Sequence, residues 1–227
     1  MNAISLLPPG ISLQRGNRVQ PAAASDDPRP DLLHDEALEA LVIRAAALDP
    51  EGHEHTLRVG RIAATLAAAL NFPEPECAML ERAAALHDIG KLALPSGVLD
   101  HSHVLDLAAR RVMERHTLLG AALLAHARAP WLRLAAVIAL HHHERWDGSG
   151  YPARRAGAAT PLAARIAAVA DVYDALRSER SYKGALDHHE AMRRILEGDG
   201  RIAPGQFDPD VLGALRICSD ALATMPR

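Results

Sequence analysis

Aromatic residues are scarce in this chain of 227 residues, at 3%. A stacking platform for single-stranded nucleic acid depends on aromatic faces, so that class is excluded. Cysteine is nearly absent too. Cys77 and Cys218 are far apart with no CxxC pattern, which excludes a disulfide scaffold and a thiolate zinc site. No sign of charge prevails: the formal net charge is −3 at pH 7, which gives no electrostatic footprint for a nucleic acid polymer. No run approaches about 18 uninterrupted apolar residues, so no membrane insertion is expected. Met1 to Gly10 lacks the basic start and small-residue cleavage pattern of a secretory signal. A cytoplasmic protein is the expectation. What remains, 49% hydrophobic and 23% charged residues, is an ordinary globular composition, long enough to bury a core without staples.

Pro8, Pro9, Gly10, Pro21, Pro28 and Pro30 interrupt any regular element near the start, so residues 1–34 read as a flexible tail or linker. From Asp35 onward alanine is abundant and apolar residues recur at spacings of three and four. This pattern predicts one all-α domain over 35–227. Its helices are expected near 35–47, 50–70, 75–88, 106–127, 131–143, 161–177, 187–197 and 208–222. No alternating strand, hairpin turn or internal repeat is visible.

Histidine is what the chain has in excess, with 13. Asp49-Pro50-Glu51 reads as a helix start, a capping side chain followed by proline at the first helical position. Glu51 and His55 are four apart on one face, which continues as Val59, Ile62 and Leu66. The arrangement recurs. Leu80 and Ala84 lead to His87 and Asp88 at the expected end of the third helix. Val112 leads to His116, with Leu119 and Leu123 following. Ile138 leads to His142 and His143, and Ala164 and Ala167 lead to Asp171. A single histidine of this kind is usually a satisfied core residue. Eight ligand-type side chains on the apolar sides of five helices point instead to a metal centre. Imidazole and carboxylate without thiolate suit Fe, Mn or Zn, and shared carboxylates suit two ions. The remaining histidines, among them His188 and His189, keep the ordinary reading, and His141 stays ambiguous within its run of three.

His87-Asp88 followed by Lys91, in the string HDIGK, resembles the signature of HD-domain metal phosphohydrolases. HHERWDGSGYP, from His142 to Pro152, is similar to the loop that defines the HD-GYP subfamily. HTLRV from His55, VADVYDAL from Val169 and RSYK from Arg180 agree, so the resemblance covers about residues 45 to 200. It implies an HD-domain helical bundle with a metal site in its core and the GYP loop beside it. It also implies hydrolysis of the bacterial second messenger cyclic di-GMP, to the linear dinucleotide pGpG, to GMP, or to both. Carried over residue by residue, the metal ligands are His55, His87, Asp88, His116, His142, His143 and Asp171, with Glu51 at a position that helps hold a third ion. Lys91 matches the lysine proposed to protonate the leaving group, and Tyr151, Arg180 and Lys183 match residues that contact the dinucleotide. The resemblance favours two or three divalent ions, Fe first and Mn next, with Zn and Ni fitting less well. It brings docking to diguanylate cyclase (GGDEF) proteins through the GYP loop, and leaves a homodimer open. Ser181 departs from the family pattern, standing where proline is usual.

The chemistry follows from the residue types. Two ions bridged by Asp88 can lower the pKa of water held between them from 15.7 toward about 7. Lys91 can protonate the departing ribose oxygen, while Arg180 and Lys183 offer a fork and a point charge to phosphates. Asp147-Gly148, Gly150 and Pro152 force a tight turn that carries Tyr151. Two other readings stand beside this one: a cyclic-dinucleotide-binding or partner-docking module with little turnover, and an HD phosphohydrolase for another nucleotide such as cyclic GMP-AMP.

Overall fold

The computed structural model describes residues 52–99, 106–179 and 184–226. The expected tail, its boundary at residue 34, the helix at 35–47 and the cap at Asp49 lie outside them. Nine α-helices run through the described residues: α1 Gly52–Ala69, α2 Glu74–Ala84, α3 Leu107–Glu114, α4 His116–Leu123, α5 Pro130–His141, α6 Leu162–Arg177, α7 His188–Glu197, α8 Pro209–Ile217 and α9 Ser219–Ala223. No strand occurs among them; one isolated bridge pairs Asp147 with Ala156. The all-α expectation is borne out. Cys77 and Cys218 are buried free thiols, and none of the described helices is long and apolar enough to cross a membrane.

Helix α6 is the centre of the bundle. Ala163, Ala164, Ile166, Ala167, Val169 and Ala170 are all buried, so its apolar surface runs almost all the way round, as a core helix requires. Its alanines let α1 and α5 approach closely on either side. On α1, Val59, Ile62, Ala63 and Leu66 form the predicted stripe, packed on α2 and α6. Leu80, Leu132, Leu134, Ile138 and Leu215 complete the core.

Three elements differ from the sequence reading. Helix α2 stops at Ala84. Leu86 and His87 then bond back to Ala83 and Ala84 three residues earlier, which tightens the chain into turns and the 3-10 helix Ile89–Ala93. His87 and Asp88 therefore sit on a turn, not a helix end. The helix expected over 106–127 breaks at Arg115. There His116 Nδ1 lies 2.7 Å from the Met113 carbonyl and Thr117 Oγ1 donates to that of Glu114. Side chains have taken carbonyls that a continuous helix would use. The break shifts the buried face, so Gly120 and Leu124 point inward while Leu123 is 42% exposed. The helix over 208–222 likewise divides at Cys218, and the turn brings Ser219 to His188 at 2.9 Å.

Candidate metal centre

Five segments converge on one buried spot. His55 stands at the head of the α1 stripe, His87 and Asp88 follow α2, His116 opens α4, His142 and His143 follow α5, and Asp171 lies mid-way along α6. Gly90 makes the convergence possible. A Cβ there would overlap the His116 carbonyl and the Gly120 amide, so only glycine lets the Asp88 turn lie flat on α4.

The side chains meet in two groups. One ligand atom each from Asp88, His116, His142 and His143 lies within 4.8 Å of the others, and the same holds for His55, His87 and Asp171. Asp88 joins them. Its Oδ1 is 3.2 Å from His116 Nε2 and 3.6 Å from His142 Nε2, while its Oδ2 is 3.2 Å from His87 Nε2. Asp171 Oδ1 lies 3.6 Å from His55 Nε2 and 3.9 Å from His87 Nε2.

The outer nitrogens explain what the inner ones need. Nδ1 of His87 faces the Ala84 carbonyl at 3.0 Å, that of His116 the Met113 carbonyl, and that of His142 the carbonyls of Ile138 and Ala139 at 3.1 Å. A carbonyl only accepts, so each Nδ1 carries a proton, and in the neutral ring, the form that ligates a metal, each Nε2 offers a lone pair. Those lone pairs face the carboxylate of Asp88 and, for His116 and His142, each other at 3.4 Å. Acceptor against acceptor in a buried site calls for positive charge between them. His87 Nε2 and Asp88 Oδ1 are indeed fully buried without a hydrogen bond. The donor set fits divalent ions of the Fe, Mn and Zn kind.

His55 is anchored differently, by a pair of residues that the sequence reading left unassigned. Its Nδ1 lies 2.7 Å from Asp174 Oδ2, a carboxylate–histidine contact that fixes ring orientation and raises ligand basicity. Arg58 in turn grips Asp174, with Nε 2.6 Å from Oδ1 and Nη2 3.1 Å from Oδ2. Both residues lie inside strings already singled out, three residues beyond His55 and Asp171. That shared spacing was the available signal.

The electrostatics follow the same geometry. Burial opposes ionisation of Asp88, yet Lys91, at 2.7 Å from Oδ2, and His87 overcome it and hold the carboxyl well below its ordinary range. Burial also opposes protonation of His87, but Asp88 and Asp171 outweigh it and push the imidazole up to about 9. His142 and His143 are lowered, chiefly by burial, and stay neutral. Burial and the charge of Asp88 raise Tyr151, which keeps its phenolic proton.

Beside the centre lies the loop from His142 to Pro152. Asp147 accepts from the Ser149 amide at 2.8 Å, and buried Glu144 accepts from the amides of Ala153 and Arg155 at 2.8 and 2.9 Å. Gly150 has no room for a Cβ against the His143 carbonyl and the Arg145 amide. So clamped, the loop stacks Tyr151 on His143 with ring centres 4.7 Å apart. His141 points elsewhere, its Nδ1 3.9 Å from Glu144 Oε1. Glu51, Arg180 and Lys183 lie outside the described residues.

A family model described as HD domain matches residues 40–211. The chain belongs to the HD-domain family. The His142–Pro152 loop carries the residues on which the resemblance to the HD-GYP subfamily rests. A "Cyclic di-GMP phosphodiesterase response regulator RpfG" of Xanthomonas campestris is 43% identical over 70% of this chain and 41% of its own length. A "Cyclic di-GMP phosphodiesterase" of Thermotoga maritima is 38% identical over 79% of this chain and 48% of its own. The chain thus spans less than half the length of either relative. A solved Vibrio cholerae structure, titled as a cyclic GMP-AMP specific phosphodiesterase, shares the fold with a TM-score of 0.55 at 20% identity, covering 84% of this chain and 54% of that one.

Proposed function

We propose that this HD-GYP chain is a metal-dependent phosphodiesterase that hydrolyses cyclic di-GMP to pGpG, GMP or both. The observation that carries the reading is the ring of buried lone pairs around Asp88, which needs divalent cations, set beside a loop that presents Tyr151. In this reading His55, His87, Asp88, His116, His142, His143 and Asp171 hold two ions and Glu51 contributes to a third. The His and carboxylate donor set favours Fe, with Mn the alternative. When bound, such ions supply Lewis acidity and acidify water at the centre.

The chain's own residues do the rest. Asp88 bridges the two groups of ligands, and Asp174 and Arg58 fix the ring of His55. Lys91 holds a proton beside Asp88 and delivers it to the departing ribose oxygen. Tyr151, kept protonated, donates to the substrate, and Arg180 and Lys183 take its phosphates. The catalytic unit spans residues 35–227. A cytoplasmic location and docking to GGDEF proteins through the clamped loop complete the proposal.

The test is anaerobic incubation of metal-loaded chain with cyclic di-GMP, followed by chromatography, with cyclic GMP-AMP as the comparison substrate. Linear product from cyclic di-GMP is expected, lost in the His87→Ala/Asp88→Ala double variant. Binding without product would leave a receptor instead, and preferential cleavage of cyclic GMP-AMP would change the substrate.

A further inference from the structure

Ser178 closes α6. Its amide makes the last bond of the helix, to the Asp174 carbonyl at 2.8 Å, and the backbone turns extended there, with φ −87° and ψ 143°. The hydroxyl turns back along the helix. It donates to Asp174 Oδ2 at 3.1 Å and accepts from Arg58 Nη2 at 2.9 Å. Asp174 and Arg58 are the pair that anchors His55, whose Nδ1 meets the same Oδ2 at 2.7 Å. One carboxylate oxygen thus gathers a metal-ligand candidate from α1, a guanidinium and the hydroxyl at the end of α6. A side chain that merely capped this helix end would bond its last carbonyls. Ser178 bonds the anchor of His55 instead.

The chain leaves α6 at Ser178 and returns at Leu186, whose amide donates to the Leu176 carbonyl at 3.0 Å. Arg180 and Lys183 fall in sequence between these two ties. Arg180 is two residues beyond Ser178, a reach of at most about 7 Å for any backbone. Hydrogen bonds that share a buried acceptor polarise one another. A cation on Nε2 of His55 makes its Nδ1 a stronger donor to Asp174, and Ser178 and Arg58 bond that same oxygen. The state of His55 is therefore felt where the chain sets out toward Arg180.

We propose that Ser178 is a positioning residue that couples the metal centre to the segment carrying Arg180 and Lys183, so that metal loading and phosphate grip favour each other. Such coupling is reciprocal. The substrate half of the proposal rests on the phosphate role given to those two residues under the proposed function; the coupling itself does not.

Two readouts on the full chain test it. Trypsin cuts after Arg180 and Lys183, and mass spectrometry follows those two bonds without any substrate. Anaerobic metal loading should slow their cleavage about two- to tenfold in the wild-type chain, the range of one hydrogen bond. Ser178→Ala should lose that protection, and Ser178→Thr, which keeps the hydroxyl, should retain it. The second readout is hydrolysis of cyclic di-GMP. Ser178→Ala should raise KM about two- to tenfold, by more than it lowers kcat, with metal content unchanged. It should add little to the effect of Arg180→Ala, because both act on one contact. Metal-dependent protection lost in Ser178→Ala, in a chain that does not cleave cyclic di-GMP, would keep the coupling and overturn the proposed function alone. Cleavage by trypsin that is indifferent to metal, or equally metal-dependent in Ser178→Ala, would overturn the coupling whatever the chain hydrolyses.

Discussion

Two kinds of buried histidine coexist in this bundle, and the difference between them separates ligand from scaffold. His188 is buried, as His55, His87, His116 and His142 are, but both of its nitrogens are satisfied: Nδ1 meets the Tyr173 hydroxyl at 2.8 Å and Nε2 meets Ser219 Oγ at 2.9 Å. Burial and the nearby Arg177 keep its pKa low, so it works as a neutral link between α6, α7 and α9. At the centre only one nitrogen of each anchored ring is satisfied, and the other is aimed at acceptors. Burial does not distinguish the two environments. The count of hydrogen bonds on the second nitrogen does.

The largest effect that separates them is expected from His87→Ala/Asp88→Ala. Turnover should fall by more than about a thousandfold in product chromatography. Asp174→Asn comes next. It leaves every inner ligand in place but weakens the anchor of His55, so metal affinity should drop about ten- to a hundredfold in competition titrations. An unchanged affinity would reduce Asp174 and Arg58 to a helix tie between α1 and α6.

A smaller effect is expected with pH. In the metal-free chain His87 is held protonated up to about 9, and a metal must displace that proton. Apparent metal affinity should therefore rise with pH, by about tenfold per unit for one proton below that value. Loading should release protons into a weakly buffered solution. The smallest effect on the centre belongs to His188→Leu. Stability should fall by about 1–3 kcal/mol in denaturant titrations, since the contacts of His188 with the Tyr173 and Ser219 hydroxyls are lost, with metal content unchanged.

Periodicity carried the fold because the buried stripes of α1, α2 and α5 are regular, and the eight ligand-type residues were legible because each falls in step with a stripe. Seven of them are described, and they converge. Periodicity could not reveal where helices stop. Nothing in the composition of 106–127 marks the break at Arg115, which arises from His116 and Thr117 competing for carbonyls. Turns from Leu86 to Asp88 depend on the tertiary contact at Gly90, which no local pattern encodes. Asp174 and Arg58 were in view but unassigned, because a residue that acts through another carries no ligand spacing of its own.

The central claim is that the lone pairs around Asp88 exist to hold metal, and elemental analysis of anaerobically loaded protein tests it most directly. The wild-type chain and His188→Leu are expected to carry two or three divalent ions per chain, and the His87→Ala/Asp88→Ala variant none. A wild-type chain that takes up no metal, or a double variant that retains the full complement, would contradict it.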